Sequence, residues 1–344
     1  MSAEYRTRTD GKSARVVVLT LGGTIASAPG EDNALASPRL NGFDLVRALP
    51  GLPEDVDLQV EDMHRLPSTD LTLAVAASVA ERARAVVADG ADGVVVTQGT
   101  DTIEEMAYCL DLLYDAAEPL VVTGAMRHAG QAGADGPANL LAAVQVAASP
   151  VCRDAGCLVV ANDEIHAARL VRKAHTSSPA AFRSPSGGPL GWLTEGKPRF
   201  LGSRWPRLAF PPSDAIGAPP IPLVKIVMDD NGWWLDALST RPPAGLVIEG
   251  MGGGHIPGPL ALRVGALAAD IPVVLASRTG AGDVLTSTYG GFPGAETALL
   301  DAGLIPAGVL DGLKSRLLLS LLLAGGASRE PIAAVFNRMG TPGD

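Results

Sequence analysis

Gly93-Val94-Val95-Val96-Thr97-Gln98-Gly99-Thr100-Asp101-Thr102-Ile103-Glu104-Glu105-Met106 is an apolar run that stops at a glycine turn and opens into a helical pattern. Val16-Val17-Val18-Leu19-Thr20-Leu21, followed by Gly22-Gly23-Thr24-Ile25-Ala26-Ser27, breaks in the same way earlier in the chain. Short β-branched runs of this kind read as strands of a parallel sheet buried on both faces. Ligands of such sheets bind in the crevice beyond the carboxyl ends of the strands. Both runs therefore aim hydroxyls, Thr24 and Thr100, at one crevice, with the Asp101 carboxylate beside the second. A nucleophile and its polar surroundings, carried on loops of a rigid scaffold, are what this pattern offers.

Working outward, further strands are predicted near 57–62, 119–123 and 156–160, and helices near 41–48, 71–88, 102–115 and 137–148. Asp135-Gly136-Pro137 marks the start of the last helix, with proline in the first turn. The alternation predicts right-handed βαβ units. After Ile165 the pattern turns irregular through Ser184-Pro185-Ser186-Gly187-Gly188-Pro189. Pro211-Pro212, Pro219-Pro220 and Pro222 then deny ladder donors and suggest a linker. A second strand set follows at Leu223 to Met228, Gly245 to Glu249 and Val273 to Ser277, with helices near 257–269, 294–302 and 307–323. The expectation is an α/β protein of two domains. The larger N-terminal domain, 15–205, has a flavodoxin-like parallel sheet; the smaller, 223–344, has its own parallel sheet. A mobile tail, 1–14, and a linker, 206–222, complete the chain.

The bulk numbers agree with two cores. A chain of 344 residues exceeds the size at which one core stops growing, and 47% hydrophobic with only 4% aromatic residues means an aliphatic interior. A formal charge of −10, with no basic stripe, argues against a nucleic-acid partner. Met1 to Arg15 lacks the apolar segment of a secretory signal. Leu317-Leu318-Leu319-Ser320-Leu321-Leu322-Leu323-Ala324 is too short to span a bilayer, so it is expected to be a buried helix and no membrane partner is expected. Cys109, Cys152 and Cys157 fit neither a disulfide framework nor a zinc pattern, and suggest reduced thiols in the cytoplasm. His64, His128, His166, His175 and His255 are dispersed, and no metal or other cofactor is indicated.

Each candidate has a plainer reading. Thr24 is a natural helix N-cap after a glycine turn. A dinucleotide fingerprint ending at Glu61 and Asp62 lacks its third spaced glycine. Thr100 or Asp101 could cap the next helix with Glu104 as the box partner. Lys173, in Leu170-Val171-Arg172-Lys173-Ala174-His175-Thr176, is by default a solvated charge; beside a carboxylate in a closed cleft it becomes a base. Ser68-Thr69-Asp70 could cap a helix, or could anchor a small zwitterion through hydroxyl and carboxylate.

Taken together the motifs resemble a family. Thr20-Leu21-Gly22-Gly23-Thr24-Ile25-Ala26 and Thr97-Gln98-Gly99-Thr100-Asp101-Thr102-Ile103-Glu104-Glu105 look like the two signatures of bacterial-type L-asparaginases. Val122-Thr123-Gly124-Ala125-Met126-Arg127, Ala134-Asp135-Gly136-Pro137-Ala138-Asn139-Leu140, Lys173 with Thr176, Gly188-Pro189-Leu190-Gly191 and Ser277-Arg278-Thr279-Gly280 extend the likeness in order along the chain.

The resemblance implies an amidohydrolase that converts L-asparagine to L-aspartate and ammonia through a threonine-linked acyl-enzyme, without metal or organic cofactor. It implies Thr24 as nucleophile, and Thr100, Asp101 and Lys173 as a polar triad for water activation and proton transfer. Ser68, Asp70 and Asp101 would hold the α-carboxylate and α-amino group, with Gly23 and Ala125 completing the substrate site. Backbone N–H groups of the Gly23 and Thr100 loops would stabilise the oxyanion, an effect of roughly 3–4 kcal/mol. It further implies a homotetramer, a dimer of dimers with shared active sites. Three departures stand out. Ala28 to Leu40 carries no lid tyrosine, with Leu35 near its place and Pro29 and Gly30 nearby. Glycine replaces an asparagine near Met251-Gly252-Gly253-Gly254-His255. The partner-subunit glutamate of some members has no counterpart in Asp283 to Tyr289. Two other readings compete. One is the amidase subunit of a glutamine-dependent tRNA amidotransferase, against which stand the acidic charge and the expected lack of an added N-terminal domain. The other is a non-catalytic amino-acid-binding or nucleotide-binding module, which has no need of the whole set.

Overall fold

The computed structural model describes residues 13–28, 37–38, 41–49, 51–201, 207–211 and 217–340. Most of the expected tail, the lid positions Pro29, Gly30 and Leu35, and parts of the Pro-rich stretch lie outside the described residues. The chain divides into two compact units, 1–212 and 213–344.

The first unit is wound around strands β1 (Ala14–Thr20), β2 (Val56–Asp62), β3 (Gly93–Thr97), β4 (Leu120–Thr123) and β5 (Cys157–Ala161). All pair in parallel, in the order β2-β1-β3-β4-β5. That is the flavodoxin-like order, and its switch point falls between β1 and β3. Val16, Val18, Val94, Val95, Val96, Val121 and Val122 are wholly buried, as expected of strands covered on both faces. Thr20 lies opposite both Asp62 and Thr97, so β1 and β3 end level and their glycine turns leave from one edge.

Helices α1 (Gly42–Arg47), α2 (Leu73–Ala88), α3 (Ile103–Leu113) and α4 (Gly136–Ala147) follow successive strands. Asn41 and Asp44 close a capping box on α1. Thr72 caps α2, its Oγ1 accepting from the Val75 amide at 3.3 Å. Past Ile165 the chain is more regular than expected. Strands β6 (Glu164–Ala167), β7 (Gly191–Thr194) and β8 (Lys197–Phe200) continue the sheet in antiparallel sense beyond β5. Between them a short ribbon pairs Lys173 with Phe182 and Arg172 with Arg183.

The second unit has its own sheet of β9 (Leu223–Lys225), β10 (Leu246–Gly250), β11 (Val273–Ser277) and β12 (Ile305–Pro306), all parallel and in chain order. Its helices are α5 (Trp233–Thr240), α6 (Gly258–Asp270), α7 (Glu296–Asp301), α8 (Gly312–Ala324) and α9 (Arg329–Gly340). Ile248, Val264, Leu275 and Leu299 belong to its core. The leucine run of α8 is buried from Leu317 to Leu322. Among the described residues no helix is long and apolar enough to cross a membrane.

Candidate active site

Three turns of the first unit meet beyond the ends of β1 and β3. The first leaves β1 after Leu21, whose amide donates to Thr97 O at 2.9 Å. Gly22 and Gly23 then take φ of +105° and +85°, a region that favours glycine. Thr24 opens a single 3-10 turn, Thr24–Ala26, and is half-buried. The second turn, Thr100–Thr102, leads from β3 into α3. It touches the first backbone to backbone: a Cβ on Gly23 would stand 2.0 Å from the Gly99 nitrogen. The third, Ser68–Asp70, follows β2 and is anchored by Leu66, whose amide donates to Leu21 O at 2.9 Å. A Cβ on Gly99 would meet Ser68 Oγ at 2.7 Å. The glycines thus let the loops bearing Thr24, Thr100 and Ser68 close on one another.

Lys173 reaches the second turn from the ribbon. Its Nζ donates to Thr100 Oγ1 at 2.8 Å and to Asp101 Oδ1 at 2.5 Å. Its own amide points to Glu104 Oε1 at 3.4 Å. The Lys173 side chain is only 14% exposed, whereas Asp101 is 62% exposed. Ser68 and Thr100 are buried, and Asp70 faces solvent. So the cluster is a cation fixed between a buried hydroxyl and an open carboxylate. An ion pair this accessible adds little stability; its geometry holds the lysine nitrogen against the threonine oxygen.

The plainer readings of these residues fail on the hydrogen bonds. Neither Gly99 nor Thr102 caps its helix through a side chain, and the Thr100 hydroxyl and Asp101 carboxylate meet Lys173 instead. Ser68 and Asp70 leave the capping of α2 to Thr72. Glu61 and Asp62 are also engaged. Arg82 donates to Glu61 from Nε at 2.7 Å, and those bonds hold the Glu61 carboxyl below the usual carboxylate range. Asp62 Oδ1 accepts from Thr20 Oγ1 at 2.7 Å and from the Gly42 amide at 2.8 Å; the Thr20 hydroxyl is the main cause of its lowered pKa.

Ala125 is buried in a loop that Asp135 holds. Asp135 Oδ2 accepts from the Met126 amide at 3.0 Å, and Oδ1 from the Arg127 amide at 2.8 Å. Asn139 Nδ2 donates to Gly124 O at 2.9 Å and to Asp135 Oδ2 at 3.1 Å. In the sequence Asp135 reads as a helix opener within the family-like stretch from Ala134 to Leu140; it occupies the N-cap position of α4 without capping through its side chain. Asp and Asn four residues apart at a helix start share one face, and that spacing was the available signal.

In the second unit Met251 and His255 form a tight bridge, and His255 Nε2 lies 2.9 Å from Glu296 Oε2. Burial pushes the Glu296 carboxyl up, but hydrogen bonds, including the Tyr289 and Thr288 amides and His255, bring it below its ordinary value. No sequence signal had singled out Glu296. Among the described residues no group of three or more His, Cys, Asp or Glu side chains is placed to hold a metal ion.

The first unit therefore presents a hydroxyl–lysine–carboxylate site at the switch point of a doubly wound α/β sheet. Residues 15–205 match the family described as Asparaginase, N-terminal, and residues 221–336 match the Glutaminase/Asparaginase C-terminal domain. A probable L-asparaginase of Deinococcus radiodurans is 40% identical over 330 residues, covering 94% of this chain and 97% of that protein. An L-asparaginase of Bacillus licheniformis is 34% identical over 316 residues, covering 90% and 95%. The crystal structure of a probable cytoplasmic L-asparaginase from Campylobacter jejuni superposes with a TM-score of 0.84 at 30% identity, covering 95% of this chain and 100% of that one. The chain belongs to the asparaginase family.

Proposed function

We propose that the protein hydrolyses L-asparagine to L-aspartate and ammonia, with Thr24 as nucleophile. The observation that carries the reading is the contact of Lys173 Nζ with Thr100 Oγ1 and Asp101 Oδ1 on a turn packed against Gly23. Thr24 Oγ attacks the side-chain amide carbon, and its proton leaves on the departing ammonia. The resulting threonine ester is cleaved by water: its oxygen joins the acyl carbon as the bond to Thr24 Oγ1 breaks, and its proton, relayed by the Thr100 hydroxyl that Lys173 holds in place, ends on the Thr24 oxygen. Asp101 orients the lysine and faces the α-amino group. Ser68 and Asp70 hold the amino-acid end, a hydroxyl for the carboxylate and a carboxylate for the ammonium. The amides of the Gly23 and Thr100 loops face the developing oxyanion.

The buried face of this arrangement, Ser68 and Thr100, suits a desolvated carboxylate, and the open carboxylates suit an entering cation. Assembly as a homotetramer is part of the reading. Supporting it, Met228, Trp233 and Leu262 are 87%, 71% and 69% exposed, apolar area that association would remove from water. A cytoplasmic location is supported by Cys109, Cys152 and Cys157, buried thiols that are not in disulfides. The test is ammonia release from L-asparagine, L-glutamine and D-asparagine by the wild type and Thr24→Ala. Turnover of L-asparagine that disappears in the variant is the expected result. A folded wild type inactive on all three amides overturns the reading.

A further inference from the structure

Thr102 stands at the N-cap position of α3, with φ −120° and ψ 17°, yet its side chain makes no capping bond. A threonine in that place ordinarily gives its oxygen to the helix and contributes about 1 kcal/mol. Here Thr102 Oγ1 instead donates to Ser68 O, 34 residues away in sequence, at 3.0 Å. The same oxygen accepts from Gln98 Nε2 at 3.3 Å. Gln98 is wholly buried; its Nε2 also donates to Gly99 O at 3.2 Å, and its amide to Thr123 O at 3.1 Å. The donors run in one direction, from Gln98 on the rigid end of β3, through Thr102, to the carbonyl of Ser68.

We propose that Thr102 is a positioning residue that fixes the Ser68–Asp70 turn at its working distance from Thr100 and Asp101. The role deepens the asparaginase reading and rests on it. Among the described residues, the turn's own other backbone hydrogen bonds are local: Asp70 N donates to Pro67 O at 3.0 Å and Leu71 N to Ser68 O at 3.3 Å, and just ahead of it the Leu66 amide ties the chain to Leu21 O at 2.9 Å. Those bonds set the turn's shape and tie it to the Thr24 turn, but none of them reaches the Thr100 turn. Thr102 supplies the bond that crosses from the catalytic turn to the amino-acid anchor. A bound amide must present its carbon to Thr24 within a fraction of an ångström, so an anchor free to drift loses binding first.

The geometry also makes the variant clean. In Thr102→Val, Ser68 O keeps the Leu71 amide and Gln98 Nε2 keeps Gly99 O, so neither group is stranded and the fold persists. The experiment measures kcat and KM for L-asparagine, and the Kd of L-aspartate by calorimetry, in wild type, Thr102→Val and Thr102→Ser. In Thr102→Val, KM and the aspartate Kd should rise together by about five- to tenfold, the scale of one hydrogen bond. Its kcat should fall by less than about threefold, and Thr102→Ser should return to near wild type because it restores the hydroxyl. The role is overturned if KM and Kd stay within about twofold of wild type while the wild type is active. It is equally overturned if only kcat falls, or if Thr102→Ser is as impaired as Thr102→Val. A wild type that neither releases ammonia nor binds aspartate would remove the asparagine reading and this role together.

Discussion

Lys173 and Thr100 are 73 residues apart in sequence, and the lysine Nζ lies 2.8 Å from the threonine Oγ1. The ribbon that carries Lys173 and the turn that carries Thr100 are built separately, so the contact specifies how one packs on the other. Thr100→Ala should therefore leave acylation by Thr24 possible and slow the water step. Rapid mixing with L-asparagine should show a burst of about one ammonia per site, then a steady rate lower by about 10²–10⁴-fold. Lys173→Met should show the same slow phase. Linear release at a wild-type rate by either variant would leave the pair a structural contact only.

Thr24→Ala makes the complementary prediction. Thr24 is half-buried on a turn whose shape is set by Gly22 and Gly23, so losing its hydroxyl removes chemistry and not the fold. Turnover should fall at least about 10³-fold, with no ammonia burst, while L-aspartate still binds within about threefold of wild type. Ordinary activity in a variant whose melting temperature is unchanged would assign the nucleophile elsewhere.

What could be read from the sequence divides along physical lines. Strands β1, β3, β4 and β5 are legible because apolar runs buried on both faces leave a continuous signal, whereas β2, at the sheet edge, alternates apolar and polar residues. The Thr24 and Thr100 turns were legible because glycine interrupts each run at its carboxyl end. Beyond Ile165 the signal fails: β7 and β8 are four residues each, and Lys197 and Arg199 in β8 point outward. Helix α5 is short and begins with an exposed tryptophan after Gly232, and α9 carries a narrow apolar stripe, Ile332, Phe336 and Met339, set among polar residues. Lys173 is a candidate from its mixed apolar and cationic setting, but its place in the triad comes only from the family likeness, since its partners lie on a distant segment. Thr102 was invisible for a different reason. A threonine at a helix start is ordinarily a cap, and only the hydrogen bond to Ser68 O shows otherwise.

Gly23 and Gly90 make a controlled pair. Both have positive φ, +85° and +95°, but a Cβ on Gly23 would stand 2.0 Å from Gly99 N while one on Gly90 would meet nothing within 4 Å. Gly90→Ala should cost only the backbone term, about 1–2 kcal/mol, and should keep activity. Gly23→Ala must also drive two backbones apart at the site. Its melting temperature should fall further than that of Gly90→Ala, and ammonia release should be lost even where the protein remains folded. Equal melting temperatures with equal activity would mean that the two turns do not need their contact.

His166 sets an acid limit on stability. The ring is wholly buried in β6, Nδ1 lies 3.0 Å from Ser184 Oγ, and Nε2 lies 3.4 Å from Glu164 Oε2. Burial, with a smaller contribution from the Arg183 charge, lowers its pKa from 6.5 to about 4. Of the charged neighbours, Glu164 favours the protonated ring and Arg183 opposes it, and burial outweighs both. The folded state therefore keeps His166 neutral where the unfolded chain has already bound a proton. The stability it allows is complete above pH 6.5, declines as the pH falls below that value, and is lost by about pH 4. The full loss is on the order of 3 kcal/mol, from about 1.4 kcal/mol per pKa unit. Urea unfolding between pH 7.5 and about pH 4.5 should show midpoints that drop more steeply for wild type than for His166→Gln, which cannot titrate. Parallel curves for the two proteins would place the acid sensitivity in other groups.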